Sequence, residues 1–312
     1  MQKLLDEPPI LIHNQGQKMK PKMIHDGVTL SSGYRALENA NNISYVLIRG
    51  GEFTMGSPLG EFDRRSWGSD GTQYQVIVSD FYMGKYAVTV AEFRKFMYAS
   101  GYHTDADKAD YSVIGNRKAK MAEGVNWRYG VSGIMRPQSE ENHPVVHVSW
   151  NDAVAYCKWL SAKTGKRFYL PTEAEWEYAC RAGSRTPFNT GDNLTTNQAN
   201  YDGNYPYNNN PKGVCRQNTV AVNSFAPNSW GLYNMHGNVD EWCSDWYGGG
   251  YYEECKAKGT VTNPSGPETG SYRVLRGGGW RSGAEYCRST DRICTSPDNQ
   301  EHYIGFRLVF VP

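Results

Sequence analysis

From Tyr45 onward the apolar positions come in short runs broken by turn formers. Tyr45-Val46-Leu47-Ile48, then Phe53 and Met55, predict strands around Gly50-Gly51, and Val76-Ile77-Val78 with Phe81-Tyr82-Met83 predicts another pair. Three stretches switch to a helical period. Thr89 and Glu92 precede Phe93, Phe96 and Met97; Ser149 and Asp152 precede Ala153, Val154, Cys157 and Leu160; Thr172 and Glu175 precede Trp176, Ala179 and Cys180. In each, a hydroxyl and a carboxylate satisfy N–H groups that a helix start leaves unpaired. Gly101, Gly165 and Gly183 supply the left-handed stops. Tyr272–Arg276 and Phe306–Phe310 predict the last strands, whereas Thr186 to Trp230 is rich in Asn, Gly and Tyr and predicts a long irregular connection. Residues 1–35 lack any period and predict a flexible leader, followed by one domain over 36–312. Few helices, many short strands and long loops predict an α+β fold.

Composition narrows the function. With 9 Trp, 22 Tyr and 10 Phe the chain has ample bulk for a core, which excludes disorder for most of its length. Lys and Arg number 33 against 32 Asp and Glu, a balance that gives no reason to expect nucleic acid as a partner, and none is expected. No apolar run approaches the roughly 20 residues that cross a bilayer. Met1 to Lys22 holds no uninterrupted apolar stretch of the signal-peptide kind. The seven cysteines form no CxxC pair and are odd in number, so neither a disulfide framework nor a zinc site is expected. Cys157 and Cys180 fall on helix faces as buried free thiols. His143 and His147 stand at ligand-like spacing, but Pro144, Val145 and Val146 argue against a shared helix, so both are expected to be structural.

Several stretches together resemble the formylglycine-generating enzyme (sulfatase-modifying factor) family. They are Phe53-Thr54-Met55-Gly56-Ser57, His143-Pro144-Val145-Val146-His147-Val148-Ser149-Trp150 and Leu170-Pro171-Thr172-Glu173-Ala174-Glu175-Trp176-Glu177. Gly231 to Trp242, Arg276-Gly277-Gly278-Gly279-Trp280 and Gly305-Phe306-Arg307 complete the match. The resemblance implies a C-type-lectin-like fold with long loops. It also implies a copper oxidase on two cysteines five residues apart, and those positions hold Ser282 and Cys287 here. Soft Cu(I) wants two thiolates and a serine hydroxyl stays protonated, so no copper is expected. The same resemblance places structural calcium on Asn234, Gly237, Val239 and Glu241, an all-oxygen set suited to a hard cation. A second family calcium site would use Asn200 and Tyr201, but Val214 stands at its acidic position and it is not expected to bind.

Residues 281–303 are similar to the variable region of diversity-generating retroelement variable proteins, such as the Treponema variable protein. The fixed frame would be Gly277-Gly278-Gly279-Trp280, Ala284, Cys287-Arg288, Arg292, Pro297-Asp298 and Ile304-Gly305-Phe306-Arg307. The displayed ligand-binding slots would be Arg281, Ser282, Gly283, Glu285, Tyr286, Asp291, Ile293, Cys294, Thr295, Ser296, Glu301, His302 and Tyr303. Adenine replacement in an Asn codon cannot yield Lys, Met or Trp, and this segment contains none; Glu285 and Glu301 depart from that rule. The expectation is a non-catalytic protein that binds a variable ligand, itself a protein, at the cell surface or outside the cell. Any membrane contact would run through a lipid anchor not visible in the chain. The alternative is an oxidase or other sulfatase-modifying-factor-type enzyme acting on a peptide.

Overall fold

The structure, a computed structural model, describes residues 36–38, 44–64, 71–115 and 118–311. The expected leader over 1–35 lies outside the described residues. The strands are β1 (Ala36–Glu38), β2 (Ser44–Ile48), β3 (Gly51–Met55), β4 (Tyr74–Val78) and β5 (Phe81–Gly84), followed by helices α1 (Val90–Ser100) and α2 (Asp105–Ala109). The hairpin β6 (Tyr111–Ile114) and β7 (Lys120–Glu123) leads to α3 (Trp150–Thr164), β8 (Phe168–Tyr169) and α4 (Glu173–Arg181). After the long connection come β9 (Asp240–Trp246), α5 (Tyr251–Ala257), β10 (Val261–Thr262), β11 (Arg273–Arg276), β12 (Arg292–Thr295), β13 (Ile304–Phe306) and β14 (Val309–Phe310).

These form sheets of order β1-β2-β5-β14-β8, β10-β4-β3, β12-β11-β9-β13 and β6-β7. β4 alternates buried and exposed residues, the mark of a sheet with one dry face. The three expected capping boxes all form, and α2 carries a fourth, Thr104 with Asp107. Its five residues and three charges hide it from a periodicity search. α4 stops one residue before Gly183, with Ala182 in the left-handed region at φ 45°. The single strand expected over 306–310 is two. β13 pairs in parallel with β9, the chain then changes sheets at Arg307-Leu308, and β14 pairs with β5 and β8. α1 and α3 bury Phe93, Phe96, Tyr156 and Leu160 against Phe306 and Leu308, while α4 buries Trp176 with Met83 and Val274.

Charged side chains hold α4 to the C-terminal sheet. Arg292 donates to both carboxylate oxygens of Glu173, at 2.6 and 2.7 Å. Arg276 donates to Glu177 Oε2, and Arg181 Nε to Glu177 Oε1 at 2.9 Å. A second bidentate pair, Arg307 with Glu241, also takes the Trp176 indole N–H onto Glu241 Oε2 at 2.8 Å. All three carboxylates, Glu173, Glu177 and Glu241, and the four guanidiniums of Arg181, Arg276, Arg292 and Arg307 are buried. In so dry a place each charge depends on its partner. Asp245 lies in the same region. Burial pushes its carboxyl up to about 8, and the nearby Glu173 charge adds to the shift.

Removing one member of a buried pair strands the other. Glu177→Gln is expected to cost about 3–5 kcal/mol in urea unfolding, whereas Arg49→Ala, in the exposed pair with Asp80, is expected to cost under about 1 kcal/mol. Asp245 binds its proton more tightly folded than unfolded, where its ordinary value is 3.8. Its contribution is therefore complete below pH 4 and lost as pH rises to 8. Asp245→Asn should flatten that decline and be the more stable form at pH 9 by at least about 2 kcal/mol; parallel pH profiles for both proteins would refute the assignment.

Candidate functional site

The region after β11 is shaped by three consecutive glycines. Gly277 and Gly278 have φ of 101° and 70°, the left-handed region that only glycine enters freely. A Cβ on Gly278 would sit 2.7 Å from Cys287 Sγ and 2.8 Å from the Tyr286 carbonyl. The glycines thus let a single 3₁₀ turn over Ala284–Cys287 pack flat on the backbone. Trp280 is buried, and its indole N–H donates to the His302 carbonyl at 3.2 Å. Arg288, also buried, donates to Glu61 Oε1 at 2.5 Å and to the Asp63 carbonyl at 3.1 Å, tying the turn to the loop after β3.

Beside this turn opens a pocket of about 440 Å3 lined by Arg281, Ser282, Gly283, Glu285, Tyr286, Ile293 and Tyr303. Tyr205, from the long connection, and Asp240, the first residue of β9, complete it. Tyr205 and Tyr286 are its exposed aromatic residues, at 47% and 39%. Asp240 is only 3% exposed. Burial raises its carboxyl to about 8, the Asp291 charge adds to the rise, and Arg281 opposes it. A group held neutral at pH 7 in a pocket is a proton donor in waiting.

Seven of the thirteen slots expected from the sequence therefore meet at one pocket. Thr295 and Ser296 line a separate cleft beside Tyr111 and Met121, so the segment is not one continuous display surface. Asp291 and His302 are corrections. They are 3% and 0% exposed, enclosed by Arg288 and Trp280, and offer a ligand no surface. Residues 281–303 also hold a strand, β12, that the sequence did not announce. Its buried Arg292 breaks the apolar pattern, because Glu173 neutralises it. Cys294, on that strand, and Glu301 are half-buried, and neither lines this pocket. Asp240 and Tyr205 were missed as site residues. The adjacent acids Asp240-Glu241 were the visible signal, but only the fold brings them to residue 281.

The long connection is ordered around its own small core of Phe188, Leu194, Ala199, Tyr201 and Tyr207, and Ala284 and Cys287 belong to it. Cys287 is fully buried, and its thiol donates to the Gly283 carbonyl at 3.7 Å. Burial drives this thiol well above its ordinary range, and Asp240, Asp291 and Glu285 push it further. The Ser282 hydroxyl accepts the Gly279 N–H at 3.1 Å. One thiol in acidic, apolar surroundings and one hydroxyl do not supply the two thiolates of a copper centre. All seven cysteines are free, and His147 is buried between Ser112 Oγ at 2.7 Å and the Gly130 carbonyl at 3.2 Å. Burial lowers His147 to about 3, as befits a neutral structural imidazole.

The proposed calcium residues lie on the turn that enters β9. Asn234 takes φ 51° and its Oδ1 is buried without a hydrogen-bond partner. Glu241 accepts Arg307 and the Trp176 indole, with Oε1 carrying a single hydrogen bond.

The sulfatase-modifying factor enzyme 1-like domain family matches residues 34–311, and the chain belongs to that family. The formylglycine-generating enzyme of Streptomyces coelicolor is 38% identical over 294 residues, covering 84% of this chain and 87% of that one. That of Mus musculus is 36% identical over 304 residues, covering 89% and 77%. Among solved structures, PvdO from Pseudomonas aeruginosa is similar with a TM-score of 0.68 at 26% identity, covering 89% of this chain and 98% of that one. Treponema denticola variable protein 1 is similar with a TM-score of 0.64 at 23% identity, covering 90% and 100%, a likeness of fold alone. The fold is thus the loop-rich α+β, C-type-lectin-like one that the sequence motifs implied. The function expected from the sequence is corrected. Relatives named formylglycine-generating enzyme, 36–38% identical over most of the chain, point to an enzyme and overturn the expectation of a non-catalytic ligand-binding protein.

Proposed function

We propose that the protein is an enzyme of the formylglycine-generating type, acting on a peptide side chain held in the Arg281–Tyr303 pocket. The observation that carries this reading is the identity of 36–38% to formylglycine-generating enzymes along most of the chain. The pocket supports it, because it opens directly on the segment to which the family resemblance assigns the reacting cysteines. Tyr205, Tyr286, Tyr303 and Ile293 give it amphipathic walls that suit a peptide. Asp240 at its edge can give or take a proton near pH 8. The donor set of Ser282 and Cys287 supports no two-thiolate copper centre, so no step is assigned to copper.

The assay is conversion of a cysteine-containing sulfatase peptide under air, with the aldehyde captured by hydroxylamine and read by mass spectrometry. Dioxygen is the oxidant: the cysteine Cβ gives up two electrons and releases its sulfur as sulfide, water supplies the aldehyde oxygen, and the dioxygen leaves as hydrogen peroxide. The purified protein is expected to give more captured aldehyde than peptide alone without binding stoichiometric copper, and Asp240→Asn, which removes the proton-exchanging group at the pocket edge, is expected to lower it. Ser282→Cys, which adds a second thiol, should raise copper(I) uptake and aldehyde yield by about tenfold or more. No aldehyde from the unmodified protein or from Ser282→Cys would refute the reading.

Calcium is proposed at the turn of Asn234, Gly237, Val239 and Glu241, where the unpartnered Asn234 Oδ1 supports a hard cation. Bound there, it would fix the entry of β9 and with it the position of Asp240. Added calcium at a hundred times its Kd should stabilise the fold by about 2.7 kcal/mol relative to chelator. Asn234→Gly, which keeps the left-handed backbone, should abolish that response; an unchanged calcium response would overturn the site.

A further inference from the structure

Five arginines lie between residues 276 and 307, and four of them are neutralised. Arg276 pairs with Glu177, Arg288 with Glu61, Arg292 with Glu173 and Arg307 with Glu241. Arg281 is the exception. Its guanidinium lies 4.6 Å from the centroid of the Tyr303 ring, and one N–H points at His302 Nε2 at 3.4 Å. Among the described residues it forms no ion pair. A half-buried guanidinium carries five donors in a planar fork that matches a carboxylate. Here the Tyr303 face and the buried His302 hold that fork at the pocket wall, so little rotamer freedom remains to be lost on binding. The neighbouring Ser282 uses its oxygen on the Gly279 N–H, which leaves the hydroxyl proton for a ligand acceptor. Glu285, also on the pocket, already interacts within the protein.

We propose that Arg281 sets the specificity of this pocket, and that the substrate is a peptide carrying a carboxylate a few residues from the side chain that reacts. The inference rests on the reading that the pocket is where a peptide is held. The carboxylate would come from an Asp or Glu side chain or from a peptide C-terminus, and the same guanidinium reads either.

The test uses blocked cysteine-containing hexapeptides in which one glutamate is moved through every position flanking the cysteine, each with a glutamine twin. A further pair ends in a free carboxylate or an amide. Binding is followed by fluorescence anisotropy at low salt, and aldehyde formation is read on the same samples. At one position or at the free C-terminus, the acidic member is expected to bind roughly ten- to a hundredfold tighter than its twin. Which pair shows the preference identifies the source of the carboxylate. Arg281→Gln should erase the preference, and Arg281→Lys should keep part of it, since the charge survives without the fork. Equal binding of all twins, no binding of any of them, or a preference that survives Arg281→Gln overturns the proposal. Discrimination without aldehyde would refute the proposed reaction and leave the role of Arg281 standing; aldehyde without discrimination would do the reverse.

Discussion

The fold depends on pairing charge inside a dry interior. Glu173 and Glu177 on α4, with Glu241 on β9, are buried beyond the reach of water, and each would be intolerable without its arginine. Because those arginines come from β11, β12 and the β13–β14 crossing, the pairs do more than balance charge. They fix the angle of α4 to the sheet that carries the pocket and define where residue 281 begins its excursion. A hydrophobic interface of the same area would tolerate sliding; a bidentate guanidinium fork does not.

That interior explains what the sequence disclosed and what it concealed. The helices were legible because their caps are local: a hydroxyl, a carboxylate three residues on and an apolar stripe need no knowledge of the rest of the chain. β9 was not legible. Asp240-Glu241-Trp242-Cys243-Ser244-Asp245 looks like an exposed polar stretch, yet it is a central strand, because Arg307 neutralises Glu241 and burial keeps Asp245 protonated. β12 was hidden for the same reason, through Arg292 and Glu173. Polarity that is satisfied by distant partners carries no periodic trace. The pocket was half legible: its wall lies in one contiguous segment, whereas Asp240 and Tyr205 reach it only through the tertiary fold.

The kinship and the chemistry pull in different directions at two positions. Sequence identity to formylglycine-generating enzymes extends along most of the chain, while Ser282 and the enclosed Cys287 give the pocket a donor set of its own. A serine or an arginine at the pocket wall touches none of the buried pairs, so its identity can change without unsettling the frame. Arg281 illustrates this, being a charge the fold has no need of.

The pairing order of the first sheet bears on how the molecule is made. β14, the last strand in sequence, lies between β5 and β8, an inner lane that must stay open until every other strand has been synthesised. A nascent chain on the ribosome therefore exposes two unsatisfied strand edges and the aromatic faces of Tyr82 and Phe168 for most of its synthesis. Such edges invite pairing with a second nascent chain. Closure comes at the end and all at once, since the same stretch delivers Arg307 to Glu241 and joins the two main sheets.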